Sequence, residues 1–174
     1  MILRDAIAMI NRMRADGVIS SYAIGGAVGA AFYLEPVTTL DMDVFVAFQA
    51  GEGGFLDLKP IYDYLKSRGG VVEREYIVIA GWPVQFLPPG TPLVDEALAM
   101  AVTRDIDGEP VRVFTPEHLA AIALQVGRSK DKIRLAQFVE ERALDRRKFN
   151  AILARHQLST RWREFERKYL RDGK

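Results

Sequence analysis

Cysteine is absent from this 174-residue chain, and histidine occurs only as His118 and His156. Disulfide frameworks, thiolate zinc sites and cysteine nucleophiles are thereby excluded, and a zinc enzyme is not expected. No apolar run approaches the ~20 residues that a membrane helix needs, so no membrane partner is expected either. The opening residues, Met1-Ile2-Leu3-Arg4-Asp5, lack the basic and long apolar regions of a secretory signal. The expectation is a soluble, cytoplasmic protein.

What is present is an ordinary globular composition, 49% hydrophobic and 27% charged, enough to build one packed α/β domain with a helical appendage. The net charge of +1 hides an asymmetry. Residues 1–127 carry 9 Lys and Arg against 16 Asp and Glu, whereas residues 128–174 carry 15 against 7. Carboxylates hold hard cations and basic side chains attract polyanions, so the front reads as a metal-binding half and the tail as a phosphate-attracting one. A solvated basic helical surface accounts for the tail equally well.

Leu3, Ala6, Ile7, Ile10 and Met13 recur at helical spacing and predict an amphipathic helix over residues 2–15. Tyr22-Ala23-Ile24 reads as a short strand, Gly25-Gly26 as a turn, and residues 27–34 as a helix stopped by Glu35-Pro36. Residues 43–48 are apolar without polar alternation, as in a central strand covered on both faces. Gly51 to Gly54 read as a loop and residues 58–68 as a helix. Strands are expected at 75–79 and 83–87, joined tightly by Ala80-Gly81-Trp82, then a short helix at 93–99. Asp107-Gly108 marks a hairpin between strands at 103–106 and 111–114. From Thr115, an N-cap followed by Pro116, the pattern is helical: 116–126, a break at Gly127-Arg128-Ser129, then 130–142 and 145–155. Residues 161–174 are polar enough to fray or to pack on a partner. The expected division is a core at 1–114 and a helical region at 115–174.

The chemistry concentrates in Ile24-Gly25-Gly26 followed by Leu40-Asp41-Met42-Asp43-Val44. Strand residues two apart share a face, so Asp41 and Asp43 project together and need a cation between them. Mg²⁺, or Mn²⁺, suits one or two carboxylates completed by substrate phosphates. The glycine pair lets backbone approach phosphate at a helix start. Turn geometry and a solvated strand entrance explain each motif singly, but not their joint order before an apolar strand.

Gly-Gly, a helix, then Asp-x-Asp on an apolar strand resembles the polymerase-β-type nucleotidyltransferase superfamily, with residues 22–86 carrying the likeness. Leu-Asp-Met-Asp-Val-Phe-Val, Pro-Glu-His-Leu and Gly-Arg-Ser-Lys-Asp resemble small stand-alone bacterial and archaeal members, the AbiEii-type toxin–antitoxin proteins and antibiotic-modifying relatives. The resemblance implies an α/β (α+β) nucleotidyltransferase fold, a mixed sheet flanked by helices. It also implies nucleotidyl transfer from an NTP to a hydroxyl of RNA, a protein or a small molecule, with Asp41 and Asp43 as catalytic metal ligands. Gly25, Gly26, Thr39, Gln85, Arg128 and Lys130 are the expected nucleotide contacts, and tRNA or a protein is a candidate acceptor.

Active members carry a third carboxylate where this chain has Gln85, which cannot act as a base or bear charge. Glu73, Glu75 and Asp107 are the acids left to replace it. Loss of catalysis, leaving a nucleotide-binding or toxin–antitoxin component, is the alternative. Ser129 is expected to cap a helix with Asp131 in its first turn. His118 is expected to be a satisfied histidine, and Trp82 and Phe86 core residues. The basic run from Arg142 to Lys168 lacks the interleaved aromatics of a single-strand reader, leaving binding by charge alone.

Overall fold

A computed structural model of the chain describes residues 2–36, 38–39, 41–48 and 57–170. Leu40, the loop expected at Gly51 to Gly54 and residues 171–174 lie outside the described residues.

Helix α1 (Ile2–Ala15) buries the stripe Ala6, Ile7, Ile10 and Met13 completely. Strand β1 (Ser21–Ile24) leads into the short helix α2 (Gly26–Ala30). This helix ends four residues before the expected point: Ala31 to Leu34 form turns, with Tyr33 N–H and Leu34 N–H both donating to Ala30 O. Strand β2 (Met42–Ala47) and helix α3 (Lys59–Lys66) follow.

A strand absent from the expectations, β3 (Val71–Glu73), pairs with β4 (Tyr76–Ile79), which turns into β5 (Trp82–Leu87). Glu75, expected in a strand, is instead a turn residue beside Arg74, whose φ is 57°. Ala80 and Gly81, both at positive φ, make the second turn, a conformation whose twist matches a two-residue hairpin.

Helix α4 (Pro92–Ala99) is capped by the Thr91 hydroxyl, which accepts from Val94 N–H. Strands β6 (Val102–Ile106) and β7 (Glu109–Val113) close on Asp107-Gly108 as expected. Helix α5 (Pro116–Val126) is capped by Thr115 and ended by Gly127 at φ 70°. Helices α6 (Ser129–Glu140), α7 (Arg146–Arg155) and α8 (Ser159–Phe165) follow, with a last wide helical turn at Glu166–Leu170.

The strands form one mixed sheet in the order β3-β4-β5-β2-β1-β7-β6, so β2 is central, parallel to β5 and antiparallel to β1. Its alternation decides what each face does. Met42, Val44 and Val46 pack with α1 and α3, whereas Phe45 and Ala47 turn toward the cluster built from α4 to α8. Asp41 and Asp43 share the parity of Phe45, and so face the C-terminal helices.

Those helices pack into the core as far as Phe165. Trp162 and Phe165 are each 5% exposed and join Phe149 in the core. The expectation for residues 161–174 missed them because two apolar residues are outnumbered by charged neighbours. The same core cluster runs across residue 114, uniting Ala23, Leu93 and Phe114 with Leu119 and Leu135. Among the described residues, no helix is long and apolar enough to cross a membrane.

Candidate active site

A cleft of about 580 Å³ opens between the entrance of β2 and β5 and the first turns of α6. Its floor is set by strand register. Asp43 lies directly beside Gln85 across the parallel β2–β5 pair, and one step beyond the Ile77–Val84 pairing brings Tyr76 alongside Gln85. Tyr76, Gln85 and Asp43 thus make a row on one face, with Asp41 at its corner.

Burial pushes the Asp43 carboxyl up, and the negative charge of Asp41 adds to it, while Lys130, Arg128 and Arg134 pull the other way. The Asp41 charge also raises the Tyr76 phenol. Thr39 donates its hydroxyl to Asp41 O at 3.1 Å and lies 3.5 Å from Asp41 Oδ1, so it holds the approach to the acid pair.

The two glycines do different work. Gly25 N–H donates to Asp43 O at 3.0 Å, and a Cβ there would sit 2.7 Å from the Phe45 ring and 3.1 Å from that of Phe114. Its amide is spent on the sheet, and Gly25 does not line the cleft; its role here is packing. Gly26 has φ 57°, and a Cβ there would collide with Asp43 Oδ2. Its bareness makes room for the carboxylate. Of the helix that follows, Ala27 faces the cleft.

The opposite wall is basic. Arg128 and Lys130 line it, and the N-cap of α6 is Arg128 rather than Ser129. Asp131, 2% exposed, accepts from Arg128 N–H at 3.2 Å and Arg128 Nε at 2.7 Å. A carboxylate at this position reaches back to the Arg128 amide at the start of the helix.

Arg134 was missed. It is 15% exposed, lies 3.8 Å from Asp131, and faces Asp43 from the same helix face as Lys130 and Gln137. The signal was available, because Lys130, Arg134 and Gln137 recur at i, i+4 and i+7. Ile133, 71% exposed, adds an apolar surface beside them.

Of the acids that could replace the absent third carboxylate, Glu73 borders an adjoining hollow of about 520 Å³ with Asp41, Arg74 and Tyr76. Glu75 and Asp107 are turn residues that line neither space. His118 is buried, with Nδ1 2.7 Å from Thr115 Oγ1 and Nε2 3.2 Å from Glu96 Oε1, a satisfied structural histidine. Phe86 is buried, and Trp82 is partly so.

The donor set fits a single hard cation. Two carboxylates on one face, one of them destabilised by burial and by the other's charge, need positive charge and leave coordination positions for phosphate oxygens and water. Among the described residues, no group of three or more acidic or histidine side chains forms a complete protein cage. The arrangement therefore suits a cation that arrives with, or is completed by, an anionic ligand.

No family model matches the chain, and no curated protein matches it in sequence. Solved structures do. An antigenic nucleotidyltransferase-like protein from Paracoccidioides brasiliensis superimposes with a TM-score of 0.54 at 18% identity, covering 80% of this chain and 74% of that one. ANT(2")-Ia in complex with adenylyl-2"-tobramycin gives a TM-score of 0.57 at 16% identity, covering 93% and 99%. The solution structure of the antibiotic-resistance factor ANT(2'')-Ia gives 0.55 at 18%, covering 95% of each chain. At this identity the likeness is one of fold: the chain has the nucleotidyltransferase fold, a mixed sheet flanked by helices.

Proposed function

We propose that the chain is a divalent-cation-dependent nucleotidyltransferase that binds an NTP in the cleft and moves its nucleotidyl group to a hydroxyl acceptor. The observation that carries this reading is the opposition of Asp41 and Asp43 to Arg128, Lys130 and Arg134 across one cleft. A triphosphate with its cation matches that pairing of charge, the cation against the acids and the phosphate oxygens against the basic wall.

In the reaction, the acceptor oxygen attacks the α-phosphorus. A new P–O bond forms there as the bond to the bridging oxygen breaks, pyrophosphate leaves and the hydroxyl proton passes to water. Asp41 and Asp43 would hold Mg²⁺ or Mn²⁺, which would supply neutralisation of phosphate charge and a fixed geometry. Lys130 and Arg134 stabilise charge on the departing pyrophosphate. Arg128 and Arg134 both share Asp131, Arg128 the more tightly at 2.7 Å against 3.8 Å, so Arg128 contributes the less of the two. Tyr76 and Ile133 offer ring and apolar surface to a base or sugar, and Gln85 offers an amide to a hydroxyl or water without adding charge.

Gln85 beside Asp43 favours a second reading, a module of the same fold that binds nucleotide without turnover, as a regulator or toxin–antitoxin component. Incubation with each α-labelled NTP, Mg²⁺ and a pool of tRNA, protein and aminoglycoside acceptors separates the two. Label transfer abolished by Asp43→Asn supports the enzyme. Tight nucleotide binding without transfer to any acceptor class supports the module.

A further inference from the structure

Behind the cleft, on the other side of the first two turns of α6, lies a second hollow of about 210 Å³ between α5, α6, α8 and the wide turn that follows α8. Its floor is apolar, with Leu124, Leu135 and Phe165. Its rim carries Lys132, Arg161 and Lys168 against one acid, Glu164. Tyr169, 43% exposed, stands among the cations, its ring centre 5.6 Å from Lys132 Nζ and 5.3 Å from Lys168 Nζ. Those ammonium groups also draw its phenol down.

The ring is not a loose surface tyrosine. Phe149, Trp162, Phe165 and Tyr169 form a ladder from core to surface with centroid spacings of 5.0, 5.7 and 5.0 Å, so the outermost ring is held in place by the core. At the other end of the hollow, Arg161 lies against Gly127, where a Cβ would come within 2.8 Å of its guanidinium. The next residue, Arg128, belongs to the cleft wall.

We propose that this hollow binds one unit of a single-stranded nucleic acid, its base on Tyr169 and its phosphates on Lys132, Arg161 and Lys168. An exposed aromatic fixed among cations is the device by which such strands are held without sequence readout. The volume falls below the roughly 300 Å³ of a complete small-ligand pocket, which suits one unit of a passing chain better than a free ligand. Continuity of the rim with Arg128 and Lys130 lays the strand beside the cleft. The sequence conceals this because Tyr169 meets Lys132 only once α8 and the wide turn after it have docked.

Binding here does not require turnover at Asp41 and Asp43, so the two readings fail separately. The test uses the full chain and fluorescein-labelled twelve-residue oligouridylate, followed by anisotropy at several salt concentrations. Lys132→Gln, Arg161→Gln and Lys168→Gln together should weaken binding about tenfold or more and flatten the salt dependence by roughly two, since each phosphate contact on a single strand contributes about 0.7 to that slope. Tyr169→Ala should cost at least about fivefold and Tyr169→Phe little, because stacking needs the ring and not the hydroxyl. Asp41→Asn with Asp43→Asn should leave RNA affinity undiminished.

Equal charge removed from exposed positions elsewhere, Arg147→Gln, Lys148→Gln and Arg163→Gln, should have a much smaller effect. An equal loss in that control would overturn the proposal, as diffuse charge would suffice. So would absence of oligouridylate binding by the wild-type protein, or full affinity in Tyr169→Ala. Displacement of RNA by poly-glutamate at matching charge concentration would point to an acidic protein instead and also overturn it. Oligothymidylate in parallel tells RNA from DNA.

Discussion

Gly26→Ala perturbs the cleft through one added methyl group. Gly26 has φ 57°, where an L-residue with a Cβ costs roughly 1–2 kcal/mol. The new Cβ also collides with Asp43 Oδ2. Asp43 cannot retreat by its backbone, because β2 is paired with β1 on one side and β5 on the other, so its carboxylate must rotate. Metal ligation tolerates errors of only about 0.2 Å, and a rotamer change moves a carboxylate much further. The stability loss should therefore be about 1–2 kcal/mol, a fall in Tm of roughly 2–8 °C for a chain of this size. Binding of ATP with Mn²⁺ should fall by at least about tenfold, or 1.4 kcal/mol.

Differential scanning fluorimetry without ligand and isothermal titration with Mn²⁺ and ATP measure the two effects separately. Gly25→Ala is the companion: its Cβ meets the Phe45 and Phe114 rings rather than Asp43, so stability should suffer more than binding. Wild-type affinity in a folded Gly26→Ala protein would refute the reasoning, because Asp43 would then not need the space that Gly26 leaves.

Three further outcomes are expected. Gln85→Asp, placing a third carboxylate beside Asp43, should tighten Mn²⁺ binding in the presence of ATP; unchanged affinity would mean that residue 85 does not share the cation site. Trp162→Ala removes a side chain packed edge-on to Phe149 at 5.0 Å and against Phe165 at 5.7 Å, and should cost about 3–5 kcal/mol in urea denaturation, whereas a loss below about 1 kcal/mol would show that α8 does not dock. Arg155, His156 and His118 hold the Glu96 carboxyl down to about 2; a folded pKa below the unfolded value gives stability that is full above about pH 4.5 and lost as pH falls toward 2. Wild type should therefore exceed Glu96→Gln by about 1–3 kcal/mol at pH 7 and lose that margin below pH 4, and a margin independent of pH would contradict the ion pairing.

Local chemistry made the centre of the sheet legible from sequence. The apolar run of β2 begins at Asp-x-Asp, and Asp107-Gly108 announces its hairpin, because side-chain period and turn conformation act within a few residues. Gln85 was legible as the neutral residue standing where a third carboxylate is expected. What escaped depended on distant packing. Strand β3 is three exposed residues, and its turn uses Arg74 at positive φ without the usual Asn-Gly or Asp-Gly signal. Arg134 shares a helix face with Lys130 and Gln137 by spacing alone, but only the lie of α6 across the cleft singles that face out. Trp162 and Phe165 were outnumbered by charged neighbours, and only the docking of α8 shows that they close the core. Gly25 and Gly26 stand in sequence as one phosphate-binding pair, whereas in the fold one amide serves the sheet and the other glycine leaves room for Asp43.

The most direct measurement is titration of ATP in the presence and absence of Mg²⁺ into the wild-type protein and into Asp41→Asn/Asp43→Asn, with folding of both checked by circular dichroism. Two same-face carboxylates facing a basic wall predict that wild-type binding depends on Mg²⁺. The double substitution should then abolish the Mg²⁺ dependence while Arg128, Lys130 and Arg134 retain weak, metal-independent affinity for the triphosphate. Equal Mg²⁺-dependent affinity in the two proteins would contradict the assignment and place the cation elsewhere.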